Sequence, residues 1–148
     1  MSVLQYCRLV PAVSAAELEA FMNQAFPGSD LSWTIEDVSD DGCVVTCPVS
    51  EHQSRPGGTL SGPALMGFAD GAAYVAVLAR IGLEALAVTT NLNINFLRRP
   101  PMETVRVQAH LLKVGRTMAV VETTLFTAGD PDPIAHAVVT YSLALINR

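Results

Sequence analysis

Residues 63–79 form an unbroken run of small and apolar side chains in which the only ionisable groups are Asp70 and the phenol of Tyr74. The run is too long for an ordinary strand and reads as a buried helix. Ser61 stands at the cap position. Gly62 and Pro63 suit a first turn whose amides have no partner inside the helix, and Gly82 is placed to end it.

After Gly82 the period shortens to that of strands. ALAVTTNLNINFL, VRVQAHLLKV, TMAVVETTLFTA and IAHAVVTYSLALI are four β-rich runs, divided by RRPPMET, a Gly115 turn and GDPDP. They are expected to be sequential antiparallel strands. In the first of them Asn91, Asn93 and Asn95 alternate with Leu92, Ile94 and Phe96. One face therefore packs on something apolar, for which the long helix is the obvious candidate.

Upstream, Ser14 with Glu17 makes a capping-box pattern ahead of Leu18, Phe21, Met22 and Phe26, which predicts a short amphipathic helix. Residues 31–35 and 42–49 read as two strands turned by Asp40, Asp41 and Gly42. Between these and the long helix lies EHQSRPGGTLSGP, a loop dense in turn formers. The whole is an α+β layout: a long helix on an antiparallel sheet of five to six strands, preceded by a short N-terminal helix. One domain spans residues 1–148, with residues 1–38 contributing the first helix and a lead-in strand. No repeat, low-complexity segment or linker interrupts it.

Composition narrows the function. The chain is 50% hydrophobic and only 16% charged, more apolar surface than a monomer of this size readily hides, so a homo-oligomer is expected. A net charge of −5 with only nine basic residues argues against a general nucleic-acid binder. Arg98, Arg99, Lys113 and Arg116 fall close together in sequence and leave room for one local anion site, or else are solvated strand ends. The apolar run raises a membrane question, but a spanning helix wants about 20 apolar residues and does not readily carry a central carboxylate. No membrane partner is expected. Cys7, Cys43 and Cys47 lack the pairing of a zinc site, and with no signal peptide they point to a reducing cytoplasm.

Asp70 is the residue that asks for a role. On a helix, the positions sharing its face offer it no partner except the Tyr74 hydroxyl. A buried carboxylate is paired, wet or functional, because leaving it bare costs several kcal/mol or a proton. The alternative is an Asp facing solvent. Gly67 and Gly71 bracket it and point to a close approach by a backbone, a ligand or tight packing, since each glycine costs a helix about 1 kcal/mol against Ala. His52, His110 and His136 are scattered, so no metal is expected. There is no G-x-S-x-G elbow and no GxGxxG, which removes the serine-hydrolase and dinucleotide signals. No cofactor is called for.

The segments GGTLSGPALMGFADGAAYVA, VTTNLNINFLRRP, KVGRT and AHAVVTYSL, in that order and spacing, closely resemble the hotdog-fold acyl-CoA thioesterases. The nearest are the phenylacetate-pathway and 4-hydroxybenzoyl-CoA thioesterase groups. The resemblance covers roughly residues 40–146. It implies a central helix wrapped by a curved antiparallel sheet, homodimers or homotetramers with active sites at the dimer interface, and metal-free hydrolysis of an acyl-CoA thioester. Asp70 matches the family's acidic residue on the central helix, a general base toward water or a nucleophile. Gly62 matches the amide that polarises the thioester carbonyl, a site that the helix dipole favours.

Other positions depart from the family's Asn-Pro-x-Gly-x-x-His-Gly-Gly stretch. Arg55 stands for Asn, Ser61 for His and Pro63 for the second Gly. Arg55 can pair with Asp70, bind a carboxylated acyl group, or point away. Ser61 can contact substrate or cap the helix. Thr89 falls where some relatives place a hydroxyl that holds the attacking water across the interface, with Thr90 a rival if the register slips by one. Arg98, Arg99, Lys113 and Arg116 fall where the family meets coenzyme A. The fold also hosts hydratases, which pair Asp with His, and no histidine neighbours Asp70 in sequence. Two function classes follow: an acyl-CoA thioesterase, or a noncatalytic acyl-CoA-binding hotdog protein that lost turnover through the changes at Arg55 and Ser61.

Overall fold

The computed structural model describes residues 11–27 and 32–143. Cys7, Leu31 and residues 144–146 of the last predicted run lie outside them. The short helix α1 spans Ala15–Ala25, with the Ser14 hydroxyl accepting from the Glu17 amide at 3.2 Å, and it buries Leu18 and Met22. Strands β1 (Thr34–Glu36) and β2 (Gly42–Cys47) follow, then the two-residue pair β3 (Ser54–Arg55) and β4 (Thr59–Leu60) within the turn-rich loop. The long helix α2 spans Gly62–Ile81, and β5 (Val88–Phe96), β6 (Val105–Val114), β7 (Met118–Thr127) and β8 (Ala135–Ser142) complete the chain.

Each end of α2 is closed by the residue that the sequence placed there. The Ser61 hydroxyl accepts from the Ala64 amide at 3.2 Å, and Gly82, at φ 102°, donates its amide to the Leu78 carbonyl at 2.8 Å. By length and composition α2 is apolar enough to cross a membrane, yet every residue from Ala72 to Ala79 is buried inside the protein. The sheet curves round this half and meets it mainly through β2, β6 and β7.

The six-stranded sheet has the order β1-β2-β6-β7-β8-β5, with antiparallel pairing throughout. This corrects the expectation of four sequential strands: β6, β7 and β8 are consecutive neighbours, but β5 pairs with β8 and stands at the far edge. The connection over residues 97–104 must therefore cross three inter-strand spacings, about 14 Å, a reach its length allows and a tight turn does not. It is stitched on the way, Leu60 donating to the Pro100 carbonyl at 3.0 Å. Leu92 and Ile94 pack against the core as their alternation predicts, whereas Phe96 is 52% exposed beside the start of α2.

Cys43 and Cys47 point into the core as free thiols, and burial pushes the Cys43 thiol up to about 12 and the Cys47 thiol higher still, so neither is a nucleophile. At the start of β2, Gly42 takes φ 154° where a side chain would run into the Ala109 carbonyl of β6, so only glycine lets the two strands close there. Thr123 stands on the inward face of β7 between Val121 and Leu125, fully buried, and its hydroxyl has no hydrogen-bond partner among the described residues. Thr123→Val keeps the shape and removes a desolvation penalty of about 1–3 kcal/mol. The variant is expected to unfold at higher denaturant concentration with an unchanged m-value; an equal or lower midpoint refutes this account of the hydroxyl.

Candidate active site

Asp70 lies in the third turn of α2, half-buried where the covered part of the helix begins. One of its oxygens, Oδ1, accepts from the Thr89 hydroxyl at 2.7 Å and from the Tyr141 hydroxyl at 2.7 Å. The Tyr141 hydroxyl is also 2.8 Å from the Asp70 backbone carbonyl. Among the described residues, no hydrogen bond is formed to Oδ2. The carboxylate is therefore held in one orientation with one oxygen available to a ligand or water.

The two hydroxyls arrive together because Thr89 and Tyr141 are directly paired across β5 and β8. A register shift between Thr89 and Asn91 puts a bulge at Thr90, whose hydroxyl instead reaches the Thr140 carbonyl at 3.3 Å. Bulges re-aim side chains in this way. Extrapolating the alternation of Leu92 and Ile94 backward would turn Thr90 inward; the bulge turns Thr89 inward instead, so that Thr89 and not Thr90 meets Asp70. The contact with Asp70 lies within one chain rather than across an interface.

Asp70, Thr89 and Tyr141 open onto a cavity of about 850 Å³ whose walls include Trp33, Phe68 and Tyr74. Trp33 and Phe68 meet edge to face at 6.3 Å, and Tyr74 stacks on Tyr141 at 5.9 Å. Burial raises the Tyr141 phenol far above its ordinary range, and its hydrogen bond to Asp70 adds to this, so it remains a donor. Met66 is exposed and does not line this cavity; Phe68 and Tyr74 do. His52, brought over by the loop after β2, lines the same cavity, but the hydrogen bonds to Asp70 come from Thr89 and Tyr141. The His52 ring Nδ1 is 2.9 Å from the Ser50 hydroxyl.

The two glycines beside Asp70 have different reasons. Space is open at Gly67, which borders the cavity, while a side chain on Gly71 would collide with the Trp33 ring.

Gly62, eight positions before Asp70, is about 12 Å from it along the helix axis. It lines a second, smaller cavity of about 390 Å³ with Arg55, Arg98 and Arg99. Arg55 consequently forms no ion pair with Asp70, and Arg98 meets Asp132 at 3.5 Å in an exposed pair. Lys113 and Arg116 sit at the β6–β7 hairpin, at the other end of ten-residue β6 and about 30 Å from the Arg98 end. The four cations that fall close together in sequence are thus divided between opposite ends of the sheet. Ser61 is occupied as the helix cap. Among the described residues no cluster of three or more His, Cys, Asp or Glu is placed to hold a metal.

Tyr141 escaped the sequence reading. Its signal was a phenol on the inward face of β8, where Ala135, Ala137 and Val139 are otherwise aliphatic.

Residues 57–134 match the Thioesterase superfamily. A protein of Silicibacter sp. TM1040, described as a candidate thioesterase, is 36% identical over 92% of this chain and 95% of its own, with a TM-score of 0.82. Zebrafish thioesterase superfamily member 2 is 21% identical over 90% of this chain and all of its own, at TM-score 0.80. A Haemophilus influenzae thioesterase is 20% identical over 90% of this chain and 92% of its own, at TM-score 0.75. The last two share the fold. No curated protein matches the sequence.

Trp33 is the only tryptophan of the chain, so its fluorescence reports the packing at Gly71. In Gly71→Ala the helix gains about 1 kcal/mol of propensity against about 1–3 kcal/mol for displacing the ring. The emission maximum is expected to move to longer wavelength as Trp33 swings toward water; an unmoved spectrum would contradict the packing described.

Proposed function

The chain belongs to the thioesterase superfamily, and from that premise we propose that it hydrolyses an acyl-CoA thioester, with Asp70 as the general base. The observation that carries the assignment is the Asp70 carboxylate itself, the one carboxylate in an apolar helix, pinned through Oδ1 and lining a cavity large enough for an acyl group.

In this reading Oδ2 takes a proton from a water molecule as the water oxygen bonds to the thioester carbon. The carbonyl oxygen becomes an oxyanion, stabilised by the Gly62 amide at the positive end of a helix. Collapse of the tetrahedral adduct breaks the C–S bond, and the proton held on Oδ2 passes to the departing thiolate, giving the coenzyme A thiol and restoring the carboxylate. The products are a carboxylic acid and free coenzyme A.

Within one chain, Gly62 and Asp70 open onto different cavities, so a site using both takes Gly62 from one copy and Asp70 from another. This supports a homodimer with composite sites. Strand β5 offers a means of pairing, since it is an edge strand that begins with exposed Val88 and is followed by exposed Leu97. Arg55, Arg98 and Arg99, which share the smaller cavity with Gly62, are the residues we assign to the anionic coenzyme; Lys113 and Arg116 lie too far off in the same chain to join them. The aromatic walls of the larger cavity suit the acyl part. Buried free thiols accord with a reducing cytoplasm.

Hydrolysis is read as thiol release from short, medium, long and aromatic acyl-CoA esters. Asp70→Asn is expected to lose about a hundredfold or more in kcat, the usual contribution of a general base, while still binding the ester in calorimetry. Turnover in the variant equal to wild type removes Asp70 from the role. No turnover by the wild type, with binding retained, moves the chain to the noncatalytic acyl-CoA-binding class.

A further inference from the structure

The carboxylate of Asp70 is held by two hydroxyls, and they are not equivalent. Thr89 is half-buried and reaches Asp70 from β5, the edge strand, just before a bulge. Tyr141 comes from β8, which is paired on both sides, and is only 2% exposed. Its ring is stacked on Tyr74 of α2, so the phenol oxygen has little freedom to leave. That oxygen lies within 2.8 Å of both the Asp70 side chain and the Asp70 backbone carbonyl, with one proton to give. The ionised carboxylate is the better acceptor, because charge-assisted hydrogen bonds are roughly twice as strong as neutral ones.

Two donors converge on Oδ1 and restrain the carboxyl group, while Oδ2 accepts no hydrogen bond among the described residues and the side chain lines the cavity. We propose that Tyr141 is a positioning residue for hydrolysis: through its hydroxyl it holds the Asp70 carboxylate by one oxygen and leaves the other available to water, while Thr89 supplies the second, more adaptable donor. This rests on Asp70 being the base. The phenol transfers no proton and forms no bond in the reaction. It acts by setting which carboxylate oxygen faces the water.

A donated hydrogen bond stabilises the ionised carboxylate, so removing it must push the acid limb of the rate profile to higher pH. Tyr141→Phe keeps the ring and its stacking and deletes only the hydroxyl. It is expected to lower kcat about tenfold or more, as befits a hydrogen bond to a charged group, to leave KM within about twofold, and to shift the acid limb of kcat upward in pH. A fluorinated tyrosine incorporated at position 141 restores a more acidic donor in nearly the same volume. It is expected to recover most of kcat and to move the acid limb to lower pH than wild type, a result that packing alone cannot produce. Wild-type kcat and an unmoved pH profile in Tyr141→Phe, with Asp70→Asn inactive, overturn the positioning role while leaving the base in place. Full activity in Asp70→Asn overturns the base, and the positioning role with it.

Discussion

A helix with almost no polar side chain must be covered on every side, and the architecture follows from that requirement. A flat sheet covers one face of a cylinder. To enclose α2 from Ala72 onward the sheet has to curve, and β2, β6 and β7 form the main contact while β8 and β5 continue round it. The connection after β5 crosses the end of the sheet so that three strands formed late in the chain can be inserted beneath the helix. Cover lapses in the N-terminal half of α2, where Pro63, Met66 and Gly67 are exposed. Asp70 sits at that boundary, enclosed enough to be oriented and open enough to meet a ligand.

The same helix spaces the chemistry. With Gly62 at its first position and Asp70 in its third turn, the helical rise alone separates a candidate oxyanion donor from a candidate base by about 12 Å. Neither loop movement nor side-chain rotation within one chain closes such a gap. The loop with Arg55 and the crossing connection with Arg98 and Arg99 gather round the helix start, so positive charge collects at the Gly62 end. Aromatic side chains from α2, β8 and the segment leading into β1 gather round Asp70. Charge and apolar volume are thereby segregated along one helix.

Helix ends and the strands of the six-stranded sheet are governed by local physics, and these were legible, whereas the short pair β3 and β4 lay hidden in a segment that reads as a loop. Ser61 caps because its hydroxyl reaches an amide three residues on, and Gly82 ends the helix because its backbone takes a positive φ. The buried faces of β6, β7 and β8 follow the alternation of their side chains. The suspicion attached to Asp70 was legible too, since a lone carboxylate in an apolar run violates the energetics of burial.

What could not be read were relations between residues far apart in sequence. Strand order depends on which edge a connection crosses to, and nothing in RRPPMET encodes that choice. Thr89 and Thr90 differ only through a bulge that exists once β5 is paired with β8. Tyr141, 71 residues from Asp70, became its partner through that pairing, and His52 came to the same cavity by the folding of a loop. Arg98 and Lys113 lie only 15 positions apart in the chain, yet an extended strand carries them to opposite ends of the sheet. The sequence by itself determined a long apolar helix, its caps, the strands and a carboxylate needing a purpose, because these depend on side-chain chemistry and periodicity over a few residues. Only the tertiary structure decided which hydroxyls hold that carboxylate and which cations stand together, because pairing across a sheet joins residues that no local interaction connects.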